Sequence, residues 1–382
     1  MTARVLIAVT HLLGIGHLVR ARHLAQALAR AGYAVTLASG GMPDGAPDAG
    51  YRVEQLLPLR VQGTDFRRLL DERGEPATPE RLSARRDALA ALAQEIAPDV
   101  VVTEHFPFGR RQLAQEFLAL IAAARAARPQ VRVLASIRDV LVVPSGPERV
   151  TEAHRRVAAL FDAVLVHGDA RLLPLDASWP VTPELAGKLV YTGYLAAAPA
   201  GETAAPVEAR EGGSVLVSGG GSAAALPLFE AALAAARLLP DQRFHLLVGG
   251  GVAEAAFAAL RGSAPENARV ERARPDFPAL LRACALSVSL AGYNTVLDLV
   301  QAGRPALLVP FDAGNETEQA LRAAALARAG LAAVVAPEPA ALAAAIRARL
   351  AAGAPPALAV DLDGAQGTVA AIARLLARDL PA

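Results

Sequence analysis

The chain has 382 residues, 53% of them hydrophobic, with a formal net charge of +1 and one cysteine. This balance allows packed cores and argues against disorder. It offers no bulk attraction to nucleic acid and excludes an intrachain disulfide or a multi-cysteine metal site. The start, MTARVLIAVT, is too short an apolar run for a secretion signal, and no run reaches transmembrane length. The expectation is a cytoplasmic protein whose membrane contact, if any, is peripheral, at the inner membrane.

In chain order, RVLIAVT, AVTLAS, RVEQLLPL, DVVVTE, VRVLAS, DAVLVH and KLVYTG read as strands. Helical periodicity lies between most of them: His17 to Ala31, Pro79 to Ile96, Arg110 to Ala126 and Pro147 to Leu160. An Ala-, Pro-, Gly- and Glu-rich stretch without a core face then runs to Gly213. Beyond it come strands SVLVSG, RFHLLVG, ARVER, ALSVSL, RPALLVPF and LAAVVA. Their predicted helices cover Ala225 to Leu238, Val252 to Leu260, Phe277 to Ala283, Thr295 to Ala302, Glu316 to Arg328 and Pro339 to Ala351. The division is a first domain over 1–195, a linker over 196–213, a second domain over 214–364 and a closing helix over 365–382. Strand–helix alternation predicts an α/β protein of two doubly wound, Rossmann-like domains, with a cleft between the carboxyl ends of their sheets. Cys284, inside LLRACALSVSL, reads as a buried inert thiol.

The first strand leads into HLLGIGHLVR. A dinucleotide fingerprint needs a third glycine at Val19 and an acid after the second strand, where Ser39-Gly40-Gly41 stands instead. A phosphate loop needs Gly-Lys-Ser/Thr, and the only lysine is Lys188. Gly14 and Gly16 still permit a tight turn and exposed amides at a helix start. His17 opens that helix, where a positive helix end favours a neutral, base-competent imidazole. The plain alternative is that His17 only caps or packs the first turn.

The second half is richer. SLAGYNTVLDLVQAGRPALLVPF is followed by DAGNETEQALRAAALARAG, and SVLVSGGGS opens the domain. The first block resembles the nucleotide-sugar motif of GT-B glycosyltransferases, within them the MurG-like family-28 group. With GIGH…R and TEHFPFGRR it is most similar to a bacterial branch of predicted glycosyltransferases carrying a GxGHxxR loop. The resemblance implies donor contacts at Gly292, Tyr293, Asn294 and Thr295, and a ribose-binding acid at Asp298, where the family more often has Glu. Thr295-Val-Leu-Asp298 also reads as a near capping box, with the acid in the first turn. The resemblance further implies sugar contacts from Glu318 and Gln319, and phosphate contacts from Gly219, Gly220, Gly221 and Ser222. Base recognition falls near Arg274. Solvent-facing polar residues are the plain reading of Glu318 and Gln319; Asn315 would cap their helix. Gly249-Gly250-Gly251 reads as a turn.

Glycosyl transfer needs a base for the acceptor hydroxyl. His17, Glu104 and Asp139 are the candidates, in that order, the last two from strand ends. Phe106 and Phe108 read as core and Arg110 and Arg111 as surface; the alternative is that they shape the acceptor pocket or contact an anionic acceptor. The one Asp-x-Asp match, Asp361 and Asp363, lies far in sequence from the phosphate loops, so no metal and no cofactor are expected. The resemblance implies an inverting, metal-independent hexosyl or N-acetylhexosaminyl transferase using a nucleotide-diphosphate sugar, UDP-linked, and an unidentified acceptor. A nucleotide-sugar hydrolase or 2-epimerase on the same fold, and a non-catalytic nucleotide-sugar-binding subunit, are the alternatives.

Overall fold

The computed structural model describes residues 2–13, 15–45, 50–63, 68–142, 144, 146–195, 213–221, 223–311, 317–353 and 359–377. Gly14, Ser222, Asn315 and the linker residues 196–212 lie outside the described residues. Contacts divide the chain into two compact units, one of residues 1–170, 174–195 and 363–382, the other of 171–173 and 196–362.

The first unit holds strands β1 (Arg4–Val9), β2 (Ala34–Ser39), β3 (Arg52–Gln55), β4 (Val100–Glu104), β5 (Arg132–Arg138), β6 (Ala163–His167) and β7 (Leu189–Tyr191). Its helices are α1 (Gly16–Arg30), α2 (Pro79–Ile96), α3 (Ala114–Ala127), α4 (Pro147–Leu160) and α5 (Pro183–Ala186). All strand pairs are parallel, in the order β3-β2-β1-β4-β5-β6-β7. The order reverses between β1 and β4, so this sheet opens a crevice at those carboxyl ends. Valines and leucines fill β1, β4, β5 and β6 on both faces, as a sheet covered by helices on both sides requires. Helix starts follow local chemistry. Thr78 caps α2, its Oγ1 accepting from the Arg81 amide at 3.2 Å, with Pro79 at the first helical position; Thr182 and Pro183 repeat the device at α5.

The second unit holds β8 (Val215–Ser218), β9 (Phe244–Val248), β10 (Ala268–Arg272), β11 (Leu286–Ser289), β12 (Ala306–Leu308) and β13 (Ala333–Val334). They alternate with α6 (Leu226–Leu238), α7 (Glu254–Gly262), α8 (Phe277–Ala283), α9 (Tyr293–Ala302), α10 (Glu318–Arg328) and α11 (Pro339–Ala352). This sheet is parallel in the order β10-β9-β8-β11-β12-β13 and reverses between β8 and β11.

Helix α12 (Gly364–Ala377) packs on α1 and belongs to the first unit. The sequence reading had set it apart as a closing segment. Two glycines one helical step apart explain the docking. A Cβ on Gly364 would meet the Gly193 carbonyl oxygen at 2.5 Å, and one on Gly367 would run into the Thr192 carbonyl. The backbone of Asp363 bridges to Leu195 beside them.

The close approach predicts that Gly367→Ala lowers stability by ~1–3 kcal/mol through overpacking. Gly262→Ala, where a Cβ meets nothing, should be neutral or stabilise by up to ~1 kcal/mol. Urea unfolding midpoints check this; equal effects of the two substitutions would contradict it.

Candidate functional site in each unit

In the first unit the carboxyl ends of neighbouring strands bring together residues distant in sequence. His17 is the second residue of α1, Glu104 the last of β4, and the strands reverse order between them. The Nδ1 of His17 lies 2.8 Å from Glu104 Oε1. Arg20, one helical step after His17 and on the same face, is buried and donates to the same oxygen. The other carboxylate oxygen, Oε2, accepts from Ser136 Oγ at 2.6 Å.

Burial alone would raise the Glu104 carboxyl; the Arg20 charge and hydrogen bonds from Ser136 and Arg20 outweigh it and hold the group below its ordinary value. It is therefore an ionised acceptor. His17 is pushed well below the ordinary imidazole value, first by burial and then by the charges of Arg110, Arg20 and Arg138. The sequence argument reached a neutral imidazole from the helix dipole; in the structure the causes are burial and the nearby guanidiniums.

Glu104 thus supports His17 directly, while Asp139, the third candidate, is buried against Tyr194, whose hydroxyl donates to its Oδ2 at 3.4 Å. Phe106 and Phe108 are core, stacked on Phe117 and edge-on to Trp179. Arg111 is exposed, but Arg110 is not a surface residue. It turns inward from a left-handed backbone (φ 57°), and its Nε donates to the Thr10 carbonyl at 2.7 Å. Burial pushes its guanidinium down to about 10; Arg138 and Arg20 push the same way, against Glu104. His105, at φ 68°, sets its ring 5.1 Å from that of His17. A non-glycine residue in this backbone region is uncommon and marks local strain. Sequence reasoning missed the roles of Arg20, Ser136 and His167; only Arg20 carried a local signal, its three-residue spacing from His17.

The glycines after β2 also have a physical account. A Cβ on Gly40 would run into Arg85 and Thr10, and one on Gly41 into His11. Arg85 is fully buried and pairs with Glu116, tying α2 to α3 behind the first loop.

In the second unit, Gly219-Gly220-Gly221 follows β8 and packs backbone to backbone with Gly249-Gly250-Gly251 after β9. A Cβ on Gly249 would strike the Gly220 carbonyl, and one on Gly251 the Gly221 carbonyl, whose oxygen accepts from the Gly251 amide at 3.1 Å. Gly220 is left-handed (φ 62°), and Gly219 abuts Ala225. Gly221 differs: a Cβ there meets nothing. Gly292, the residue before α9, would meet only Thr295 Oγ1, at 3.8 Å. Gly16 in the first unit likewise faces open space.

Helix α9 starts at Tyr293, two residues before the expected Thr295. Thr295 therefore lies inside the helix and cannot cap it, and Asp298 lies beyond the first turn. The capping-box and first-turn readings of Asp298 are both corrected. Asp298 is half-buried, and among the described residues it has no hydrogen-bond or ion-pair partner; burial pushes its carboxyl up to about 6. Tyr293 is buried, Asn294 exposed. The Gln319 side-chain oxygen accepts from the amides of Ala291 and Phe311, both at 3.1 Å, so it ties two strand-end loops together. Glu318 is nearly buried, not solvent-facing, and lies 3.9 Å from the buried guanidinium of Arg322, which donates to the Ala291 carbonyl at 2.8 Å. Arg274 forms a fork with Asp276 at 2.9 and 2.6 Å. Cys284 is buried, its thiol pushed up to about 11 by burial, as befits an inert residue. Among the described residues, no cluster of three or more His, Cys, Asp or Glu could hold a metal ion, and no helix is long and apolar enough to cross a membrane.

Residues 214–352 match the glycosyltransferase family 28 C-terminal domain. A UDP-N-acetylglucosamine–N-acetylmuramyl-(pentapeptide) pyrophosphoryl-undecaprenol N-acetylglucosamine transferase of Phenylobacterium zucineum is 30% identical over 84% of this chain and 81% of its own length. The chain belongs to the family-28 glycosyltransferases. The transferase of the same name from Thiobacillus denitrificans is 36% identical over 47% of this chain, a match spanning about half of that relative (48%). MurG of Acinetobacter baumannii has the same fold, with a TM-score of 0.62 at 18% identity over 97% of this chain and 99% of that one. The two parallel α/β units are thus those of a GT-B, family-28 protein.

The buried histidines of the first unit have a consequence for stability. His17, His105 and His167 are all depressed in the folded state, first by burial, His167 to about 3. As pH falls below about 6.5, the unfolded chain takes up protons at these positions and the folded chain does not. Stability is therefore lost on acidification, by up to ~1.4 kcal/mol per pH unit for each such histidine. His167→Gln should flatten the dependence of unfolding free energy on pH between about 6 and 4 by close to one proton. An unchanged slope would show that His167 titrates normally in the fold.

Proposed function

We propose that this family-28 chain transfers a sugar from a UDP-linked donor to an acceptor hydroxyl, by inversion and without a metal. The observation that carries the reading is the neutral His17 held at 2.8 Å by an ionised Glu104 at the point where the strand order reverses. Glu104 can only accept, so His17 Nδ1 carries the proton and donates it to Oε1, leaving Nε2 bare. In the reaction Nε2 takes the acceptor hydroxyl's proton. The acceptor oxygen bonds to the anomeric carbon, and the bond from that carbon to the diphosphate oxygen breaks, so UDP leaves with the electron pair. The imidazolium formed is stabilised by Glu104. One displacement assisted by a base inverts the anomeric centre.

The donor's nucleotide is assigned to the second unit. Asp298 is a partly desolvated carboxylate without a partner among the described residues, the environment expected of a group that waits for ribose hydroxyls. Gly221 and Gly292 are required neither by a positive φ nor by internal packing, which supports close approach of the diphosphate to backbone amides. Tyr293, Asn294 and Thr295 open the adjoining helix. Glu318 and Gln319 remain the proposed contacts to the sugar, with the Gln319 amide nitrogen as the available donor, since its oxygen is engaged. Arg274 stays near the base, as a structural fork beside the recognising backbone. Helix starts and loop amides, in place of a metal, would offset the charge of the leaving diphosphate. Transfer is favoured over hydrolysis, epimerisation or mere binding by the names of the relatives, one of them matched over 81% of its length. Those relatives act on a pyrophosphoryl-undecaprenol acceptor. An acceptor of that anionic, lipid-linked class fits Arg110, whose guanidinium is buried among Arg20 and Arg138 with Glu104 as the opposing charge. It would also bring this protein to the inner membrane surface.

His17→Ala should lower kcat by ~10²–10⁴-fold, the usual contribution of a general base, with little change in the donor dissociation constant. The acid limb of the kcat profile should lie below 6.5, because burial and the nearby arginines depress His17. Asp298→Ala should weaken UDP binding by about ten- to hundredfold, the loss of a charge-assisted hydrogen bond. Calorimetry that finds no nucleoside diphosphate bound to the wild-type protein defeats the reading. Turnover should survive EDTA; its abolition by chelator and rescue by Mg²⁺ or Mn²⁺ would overturn the metal-free step.

A further inference from the structure

The hydrogen bonds around Glu104 continue across the sheet. Ser136 Oγ lies 2.6 Å from Glu104 Oε2 and 3.0 Å from His167 Nε2, and His167 Nδ1 lies 2.8 Å from Thr192 Oγ1. Glu104 and His167 end β4 and β6, Ser136 lies inside β5 near its carboxyl end, and Thr192 stands just past β7; these are adjacent strands in the sheet. All four side chains are buried.

Proton counting gives the chain one direction. Glu104 is ionised and accepts only. Ser136 has a single proton, so it goes to Glu104 Oε2, and the Ser136 oxygen must accept from His167 Nε2–H. His167, neutral under burial, then has a bare Nδ1, which accepts the Thr192 hydroxyl proton. On the other side, Arg20 Nη2 has two protons and gives one to Glu104 Oε1; its 3.0 Å approach to His17 Nδ1 would be a hydrogen bond only with Nδ1 bare, which would set that lone pair against the ionised Glu104 oxygen. The 2.8 Å contact between His17 Nδ1 and Glu104 is attractive only when Nδ1 carries a proton. Every donor from Thr192 to His17 is therefore consistent with one tautomer of each imidazole. A reversed Ser136 would leave Glu104 Oε2 short of a donor in a buried site, which is costly for a carboxylate.

We propose that Ser136 and His167 are positioning residues that hold Glu104 in one orientation and through it lock His17 in the tautomer with Nε2 free. This rests on the reading of His17 as the base, but it makes a statement about the resting protein that activity is not needed to test. The groups that also face His17 are Arg20 on its own helix, His11 beyond β1, His105 and Arg110 beyond β4, and Arg138 at the end of β5. None of these is altered by a change at Ser136.

The experiment is nitrogen NMR of histidine-labelled protein, with kcat and donor KM, for wild type, Ser136→Ala, Ser136→Cys and His167→Gln. Wild type should show His17 protonated at Nδ1 only. Ser136→Ala should mix in the Nε2–H tautomer and lower kcat by about tenfold or more, the scale of a hydrogen bond to a charged group, with donor KM unchanged. Its pH profile should shift, which loss of packing alone would not produce. Ser136→Cys keeps the volume but donates weakly, so it should follow Ser136→Ala even where the alanine variant folds poorly. His167→Gln keeps an N–H directed at Ser136 and should retain most of the wild-type kcat and tautomer. A folded Ser136 variant with the wild-type His17 tautomer and pH profile overturns the proposal. If the tautomer responds as expected but His17→Ala remains fully active, the positioning stands and the base assignment falls. If His17→Ala is inactive and the Ser136 variants are silent, the reverse holds.

Discussion

A carboxylate buried at the reversal point of the first sheet organises this unit's carboxyl edge. Glu104 is 2% exposed, and an ionised carboxyl at that depth is tolerable only with several donors. The fold supplies three from two elements: His17 and Arg20 from the helix after β1, and Ser136 from β5. The parallel register sets Glu104 directly beside Ser136, so the donor is delivered by strand pairing and not by a flexible loop. The same requirement explains why Arg20 is buried on α1 and why that helix face must stay against the sheet. The packing of α12 on α1, made close by Gly364 and Gly367 against the backbone at 192–194, braces that helix from behind.

The alternation of strands and helices was legible because each strand is a short β-branched run and because Pro79, Pro147, Thr78 and Thr182 mark helix starts by chemistry that acts locally. The candidates His17 and Glu104 were legible as strand-end residues, but only as competitors for one role. Their contact spans 87 positions in sequence, and it depends on β1 and β4 being neighbours, which no local pattern states. Ser136 and His167 were invisible for the same reason: a serine inside a strand and a histidine at the end of another have no shared periodicity. Arg20 was available from its spacing and passed over as part of a motif. The return of α12 to the first unit carried one faint signal, two glycines three apart, whose meaning appears only when the backbone they meet is known.

Asp298 shows a different limit. Its spacing from Thr295 invited a local explanation, and the helix start decided against it. Once α9 begins at Tyr293, the threonine is inside the helix and the acid has no capping function. A structural role for it must then come from a partner, and among the described residues there is none. The neighbouring loop, by contrast, is heavily tied: Gln319 and Arg322 hold Ala291 by its amide and its carbonyl, from the first turns of α10. A strand-end loop tied this way, beside an acid with no partner among the described residues, supports the proposed donor site.

The two units treat charge in opposite ways, and the proposed chemistry needs both. The first buries guanidiniums in excess around one carboxylate, which keeps His17 neutral and therefore able to accept a proton at ordinary pH. The same cationic surroundings would penalise the imidazolium formed in the reaction. Glu104 resolves the conflict only if its charge is aimed at His17 when the proton arrives. A carboxylate free to rotate would satisfy Arg20 alone and leave the product state unsupported. Fixing Glu104 from behind, through Ser136 and His167, lets one buried acid serve both the arginine and the base. In the second unit, Asp298 stands half-buried with no counter-charge among the described residues, so a ligand that donates hydrogen bonds would favour its ionised form further. Neutral hydroxyls fit that need where a phosphate does not, which supports the proposal that the nucleoside meets Asp298 and the diphosphate meets the loop amides and the open glycines.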